Sequence, residues 1–288
     1  MRRRIAHIVN PVIIPPSSDL YAAQPITFET MRAARRMAQD TMEIGLFSAQ
    51  YPEDRAWVPE DFHATPDLER SVLDVGDFKI PVKFPLIKDI LDRLYEASDA
   101  EYFIYTNVDI GLMPHFYLAV NHWIEKGVDA MVINRRTLPE RAWRTEDLPL
   151  LYSLPGVSHP GHDCFVFRRQ AYCGFELGTA CLGINRIGKV LMANLMCHSA
   201  LFREIRDAHL TFHIGDRRPR WVVSGSSSVE GNPDYLDYTL HNENELRRIL
   251  KGFEAEGRIQ AHPFLVKLLG ELEKNGRPWK ILTALFRR

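Results

Sequence analysis

The stretch that most constrains this chain is Glu101-Tyr-Phe-Ile-Tyr-Thr-Asn-Val-Asp-Ile-Gly-Leu-Met-Pro-His-Phe-Tyr117. Tyr102 to Tyr105 form a short continuous apolar run, the mark of a strand buried on both faces of a parallel sheet. The run stops at Thr106, Asn107 and Asp109, three small polar residues that cannot all be core. Pro114 then suits the first turn of a helix, Phe116, Val120, Trp123 and Ile124 recur at helical spacing, and Gly127 closes the segment. A buried strand thus delivers a carboxylate to its carboxyl end, the edge at which open α/β sheets bind ligands. A carboxylate there is placed to hold a hard divalent cation and, through it, a diphosphate.

Asn107-Val108-Asp109, at the end of an apolar strand and followed by Ile-Gly-Leu-Met-Pro, resembles the Asp-x-Asp motif of GT-A-fold glycosyltransferases. The resemblance implies an α/β fold with a mostly parallel twisted sheet flanked by helices. It also implies a nucleotide-sugar donor of UDP or GDP type, and Asp109 as ligand to a catalytic Mn2+ or Mg2+. Asn107 departs from the motif, standing where the first Asp usually is. An Asn keeps a carbonyl acceptor and adds an amide donor, so it can still hold a donor ribose hydroxyl or an ordered water. It removes one negative charge, which predicts a loose, roughly millimolar metal requirement that Asn107→Asp tightens. Outside this context the same residues read as an ordinary strand-to-loop turn.

At 288 residues the chain is long enough for one large α/β domain or two smaller ones. With 45% hydrophobic and 25% charged residues it has the balance of a soluble globular protein, and no window is apolar enough to span a bilayer. A formal net charge of -1 argues against a nucleic-acid binder. The four cysteines form no Cys-x-x-Cys pair, which excludes zinc knuckles and reads as reduced thiols in a cytoplasmic protein. The start, Met-Arg-Arg-Arg-Ile-Ala-His-Ile-Val-Asn-Pro, is broken by His7, Asn10 and Pro11 and is read as a first strand rather than a leader.

Ile5 to Val9 is that strand, ending at Asn10. Thr27 is expected to cap a helix whose Met31, Ala34, Ala38 and Met42 face the core, and Ile44 to Ser48 is the next strand, so the chain opens as a doubly wound sheet. Tyr51 to Asp77 has no clean periodicity and reads as a surface excursion. Phe84-Pro85 starts a helix with Ile87, Ile90, Leu91 and Leu94 buried. Under the resemblance this helix flanks the donor pocket, which makes Lys83 and Lys88 candidates for phosphate contact; solvated lysines are the plainer reading.

Ala130 to Ile133 is a further buried strand, and Arg135 at its edge is a candidate for donor phosphate or an acidic acceptor, as Asn10 and Asn107 are for the donor. Thr137 to Pro155 is expected to be an acceptor-side loop or lid. Gly161-His-Asp-Cys-Phe-Val-Phe167 contains a Gly-x-Asp-x-Phe-x-Phe pattern that resembles the acceptor-side strand of some bacterial GT-A-like proteins. Asp163 is the candidate acceptor-hydroxyl binder or base, with His162, Glu176 and Asn185 as further acceptor-side candidates. No phosphate-loop or dinucleotide glycine pattern occurs. Gly188 to Arg206 is expected to be one helix, with Val190, Leu191, Leu195, Leu201 and Phe202 in the core.

Leu210 to Asp216 is a short strand carrying His213 and Asp216 towards Arg217, Arg218 and Arg220. In several GT-A families a late histidine is a metal ligand, and imidazole suits a manganese-type ion, so His213 joins Asp109 as candidate ligand. Val223 to Pro233 is a Gly/Ser-rich boundary, which divides the chain into a GT-A-like domain over 1–222 and a helical extension over 223–288. Asn242 is expected to cap a helix with Leu246, Ile249 and Leu250 docked on the core. The basic amphipathic end, Arg277 to Arg288, could touch an anionic membrane, although packing on its own domain is the plainer reading.

The function implied is metal-dependent transfer of a sugar from a nucleotide sugar to an acceptor hydroxyl in surface-polysaccharide or glycolipid synthesis. A GT-A-like binding protein without activity and a protein-interaction scaffold are the rivals. A nucleotidyltransferase is disfavoured because Asn10-Pro-Val-Ile-Ile-Pro-Pro16 lacks a Gly-rich, Arg-containing loop.

Overall fold

The computed structural model describes residues 2–215 and 235–275. Its first half alternates strand and helix: β1 (Arg3–Val9), α1 (Asp19–Ala38), β2 (Met42–Ser48), β3 (His63–Ala64), α2 (Ile87–Ala97) and β4 (Tyr102–Thr106). Then come β5 (Ile110–Leu112), α3 (Phe116–Glu125), β6 (Ala130–Leu138), α4 (Leu148–Ser153), β7 (Val157–Arg168), α5 (Arg169–Tyr172), α6 (Ile187–His198), β8 (Phe202–Ile205) and β9 (Thr211–Ile214). The described chain closes with α7 (Leu236–Ala255) and α8 (Pro263–Asn275).

The strands form one mixed, mostly parallel sheet in the order β3-β2-β1-β4-β7-β6-β9-β5, with β8 beside β6. β1 runs parallel to β2 and β4, with Ile5 opposite Ile44 and Tyr102, whereas β7 lies antiparallel between β4 and β6. Successive side chains of a strand point to opposite faces, and here each face carries its own core. Tyr102, Ile104, Met131, Ile133, Cys164 and Val166 pack towards α1 and α3. Phe103, Tyr105, Val132, Phe165 and Phe167 pack towards α2, α6, α7 and α8. A sheet covered on both sides needs continuous apolar runs, and β4 is buried at all five positions. Ile87, Ile90, Leu91 and Leu94 of α2 are fully buried, each worth about 1.5–3 kcal/mol of transfer free energy.

Several boundaries differ from the sequence reading. α1 starts at Ser18, whose hydroxyl accepts from the Leu20 amide, while Thr27 lies buried inside the helix and Met42 opens β2. Pro25 sits within α1, and the preceding Gln24 exchanges two 2.9 Å hydrogen bonds with the Val12 backbone, tying the helix to the loop after β1. α6 ends at His198, so Leu201 precedes β8, Phe202 opens it, and both are only partly buried. The 51–77 excursion is pinned by two 3-10 turns, the short β3 and ion pairs such as Arg70–Asp89 at 2.7 Å. The 137–155 segment completes β6, forms a 3-10 turn and α4, and buries Trp143 and Leu151 against Phe212. Asn242 does not cap α7, which begins six residues earlier. It is fully buried within the helix, accepts from the Cys181 amide at 2.9 Å and donates to the carbonyls of Cys181 and Asn185. Asp216, the following arginines, the 223–233 boundary and the basic end from Arg277 lie outside the described residues. No described helix is long and apolar enough to cross a membrane.

Candidate active site

The polar residues after β4 reach the site through two different partners. β5, which begins at the residue after Asp109, pairs antiparallel with β9, setting Ile110 opposite His213 and Gly111 opposite Phe212. A Cβ on Gly111 would collide with the Phe212 ring, so glycine lets the two strands approach. The pairing brings Asp109 and His213, 104 residues apart in sequence, to 3.2 Å between Oδ2 and Nε2.

Both side chains of this pair are about nine-tenths buried. His213 Nδ1 lies 2.7 Å from the Gly215 carbonyl, so that nitrogen carries the hydrogen and Nε2 faces Asp109. A neutral imidazole would then oppose its lone pair to a carboxylate, and a positive charge has to lie between them: a proton on Nε2 or a metal cation. Burial disfavours both charged forms, but charge attraction and the hydrogen bond outweigh it, raising His213 above its ordinary value and lowering Asp109. Asp109 Oδ1 is buried with no hydrogen-bond partner among the described residues, a costly state for a carboxylate oxygen. A carboxylate with a spare oxygen, beside an imidazole oriented by a carbonyl, fits an Mn- or Mg-type ion. No group of three or more His, Cys, Asp or Glu side chains converges among the described residues, so such an ion would draw its other ligands from substrate and water.

A second cluster stands beside this one. β6 and β7 continue past their buried halves as an irregular paired arm, with Asn134 opposite His162 and Arg136 opposite Ser158. The arm carries Arg135 and Asp163, which form an ion pair through Nη1 and Oδ2. Asp163 Oδ1 accepts from the Asn107 side-chain amide at 3.2 Å, and Asn107 Oδ1 accepts from the Tyr105 hydroxyl at 2.8 Å. Gly161 lies against this pair; a Cβ there would sit 2.7 Å from Asp163 Oδ2 and 2.9 Å from Arg135 Nη1. Asn107 is therefore engaged with a neighbouring carboxylate, which gives a reason for an amide at this position that the motif alone does not supply.

A cleft of about 530 Å³ is lined by Asn10, Asn107, Asp109, Arg135, His162, Asp163, Asn185 and His213, which gathers most of the candidates. A second cavity of about 520 Å³, walled by Asp19, Arg141 and Trp143, shares Leu20, Asp109 and His213 with it. The buried pair is thus a floor common to two spaces. Asn10 donates to the Ala49 carbonyl at 2.7 Å, and His162 Nε2 lies 3.3 Å from Glu204. Three candidates lie elsewhere. Lys83 pairs with Glu53 at 2.6 Å and sits over the Tyr51 ring, Lys88 pairs with Asp92 at 2.5 Å, and the Glu176 side chain is exposed away from the cleft. Sequence reasoning missed Arg186 and Lys189, which line the cleft from the start of α6; their i, i+3 spacing after a glycine-spaced segment was the only signal.

No protein-family model matches the chain, and no curated protein is significantly similar in sequence. Among solved structures, the chain is similar to S. aureus TarS 1–349, with a TM-score of 0.47 and 8% identity over 85% of this chain and 65% of that one, less than two thirds of its length. It is also similar to TarS 1–349 in complex with UDP-GlcNAc, with a TM-score of 0.46 and 11% identity over 94% of this chain and 80% of that one. A Bacillus anthracis protein described as a glucose-1-phosphate thymidylyltransferase gives a TM-score of 0.43 and 8% identity over 70% of this chain and 87% of that one. At these scores the likeness is one of general sheet-and-helix arrangement, and function has to be read from the site itself.

Proposed function

We propose that the chain is a metal-dependent glycosyltransferase that moves a sugar from a UDP- or GDP-type nucleotide sugar to an acceptor hydroxyl of a glycan or lipid-linked acceptor. The observation that carries this reading is the Asp109–His213 pair: two lone-pair donors opposed across 3.2 Å, with one carboxylate oxygen unpartnered, on a floor shared by two cavities. The chemistry a divalent cation supplies in that position is neutralisation of charge on a leaving diphosphate. Asp109 and His213 would hold it. Arg135 and Asn107 fix the orientation of the Asp163 carboxylate on the cleft wall. Asp163 receives the hydrogen bond of the acceptor hydroxyl and, in an inverting transfer, its proton, as the anomeric carbon exchanges its diphosphate oxygen for the acceptor oxygen.

One observation favours a second reading, a nucleotide-sugar-binding protein without turnover. Both oxygens of Asp163 are already engaged, so taking up a proton means displacing Arg135 or Asn107.

Thermal unfolding with UDP or GDP, with and without Mn2+, tests the binding half, since a ligand that prefers the native state raises its stability. Stabilisation is expected only when nucleotide and metal are both present, and to disappear in Asp109→Ala. Metal-independent stabilisation, or full retention of the effect in that variant, would overturn the reading. Release of UDP or GDP from nucleotide sugars then separates transferase from silent binder.

A further inference from the structure

Away from the Asp109–His213 floor, the charges around the larger cleft are balanced. On the arm, Arg135 faces Asp163. At the start of α6, Arg186 faces Glu243 of α7 at 2.7 Å, and the adjacent Lys189 is acted on by Glu271 of α8 as well as by Glu243. The wall made by α6 and the two C-terminal helices therefore sets Arg186 and Lys189 against Glu243 and Glu271. Such a wall has no net pull on an anion, yet it remains rich in hydrogen-bonding groups.

Three of those groups are left over. Arg186 donates through Nε and Nη2 to one and the same oxygen of Glu243, at 2.9 and 2.7 Å. A fork-on-fork pair would occupy both carboxylate oxygens; here Glu243 Oε2 and Arg186 Nη1 make no hydrogen bond among the described residues. Thr239 lies one turn before Glu243 on the same side of α7 and lines the cleft, and its hydroxyl is also unengaged among the described residues. None of these three atoms is among the buried ones, so each is open to an incoming partner. Arg186 moreover keeps a left-handed backbone, φ 80°, which is unusual for any residue but glycine. Outliers of this kind persist where the surroundings over-determine them, and they gather at ligand sites.

We propose that Arg186, Glu243 and Thr239 form a recognition site for the hydroxyl groups of a neutral sugar ring. Together they offer an N–H donor, a carboxylate acceptor and a hydroxyl that can play either part. Neighbouring sugar hydroxyls each give one hydrogen bond and take others, which matches that set. A phosphate has no hydrogen to give Glu243 Oε2 and is repelled by its charge. Ile184 and Ile187 on the same wall supply apolar contact for the C–H faces of a ring. Under the transferase reading, on which this distinction rests, the ring is either the sugar leaving the nucleotide or the sugar receiving it. The site itself is measurable without that reading, and in both cases α7 is part of it.

The test uses the full chain with Thr239→Val and Glu243→Gln, both checked for an unchanged unfolding temperature. One arm titrates the methyl glycosides of glucose, galactose, mannose and N-acetylglucosamine by NMR. The other compares UDP-glucose, UDP-N-acetylglucosamine and GDP-mannose with UDP and GDP by calorimetry in the presence of Mn2+. At least one sugar, free or nucleotide-linked, is expected to bind wild type. Its binding is expected to weaken about threefold or more in Thr239→Val and about tenfold or more in Glu243→Gln. UDP and GDP are expected to bind both variants within about twofold of wild type. A loss confined to the free glycosides identifies the receiving sugar; a loss of the nucleotide sugar's advantage over its nucleotide identifies the departing one. The proposal is overturned if no sugar binds wild type, if either variant binds sugars as tightly as wild type, or if the free nucleotides weaken in step. Glucuronate or glucose 6-phosphate binding wild type more tightly than methyl glucoside overturns it too, since the wall would then select anions. If wild type binds neither UDP nor GDP with Mn2+ while glycoside binding still depends on Thr239 and Glu243, the transferase reading falls and the sugar site stands.

Discussion

The side-chain amide of Asn107 donates to the carboxylate of Asp163 at 3.2 Å, across 56 residues of sequence. The same Asp163 is paired with Arg135, and the same Asn107 accepts from Tyr105. Four side chains therefore satisfy one another, and exchanging the amide for a carboxylate removes a donor and sets two negative charges in contact.

Asn107→Asp is accordingly expected to destabilise the fold by about 1–3 kcal/mol at neutral pH rather than to improve the metal site. Two carboxylates in one site raise the pKa of one of them. The deficit should shrink as pH falls below that raised value. Denaturant unfolding of both proteins from pH 4 to 8 measures it, and equal stability throughout would count against the network.

The pH dependence of the Asp109–His213 pair follows from the direction of each shift. His213 is raised from its ordinary 6.5, so its contribution to metal-free stability is complete below 6.5 and is lost as pH rises through the higher folded value. Asp109 is lowered from 3.8, so its contribution is present above 3.8 and is lost as pH falls through the lower folded value. A metal has to displace the His213 proton, so below the raised value Mn2+ affinity should fall about tenfold per pH unit. Calorimetry in buffers of different ionisation enthalpy should detect a released proton in wild type and none in His213→Gln.

Gly161→Ala should uncouple binding from turnover. The added methyl would lie 2.7 Å from Asp163 Oδ2 and 2.9 Å from Arg135 Nη1, pressing on that pair, while neither Asp109 nor His213 is among its nearest contacts. Nucleotide release from a nucleotide sugar should drop by at least about tenfold, equivalent to about 1.4 kcal/mol, with UDP–Mn2+ stabilisation retained. Loss of both together would mean that the arm supports the whole site.

Asn242→Leu removes four hydrogen bonds, one of them from the Cys181 thiol, and strands the Cys181 amide and the Cys181 and Asn185 carbonyls. A cost of about 2–3 kcal/mol is expected from the unpaired groups, measured by denaturant unfolding. A substitution that left stability unchanged would show that α7 is held by its apolar side chains alone.

The parts of this fold that could be read in the sequence are those fixed by local burial. β4 announces itself because a strand covered on both faces must be apolar throughout, and α2 because its four buried side chains recur at helical spacing. The outer half of β6 was hidden because Asn134, Arg135 and Arg136 stay extended through pairing with β7 and β9, not through hydrophobicity of their own. Asn242 resembled a cap because its position before an apolar periodic run is what a cap looks like; its real partners lie 57 and 61 residues away. The cap expected at Thr27 lies inside α1, although Ser18-Asp19 carried both a capping hydroxyl and an acidic first turn. At the site, Asp109 and His213 were both visible as strand-end residues, but the engagement of Asn107 with Asp163 depends on spatial neighbours.

The placement of His213 on β9 also sets an order of events during synthesis. β1 to β4, with α1 and α2, can assemble from the first 106 residues, and Asp109 is in place soon after. Its partner arrives only when β9 has been made and has closed against β5 and β6, a contact of high sequence separation that is slow to form. A growing or truncated chain can therefore hold most of its sheet and still have no hold on a metal ion. If Asp109 and His213 hold a metal as proposed, that affinity would be acquired only after β9 has paired, and its appearance would mark a chain whose last strand has found its place.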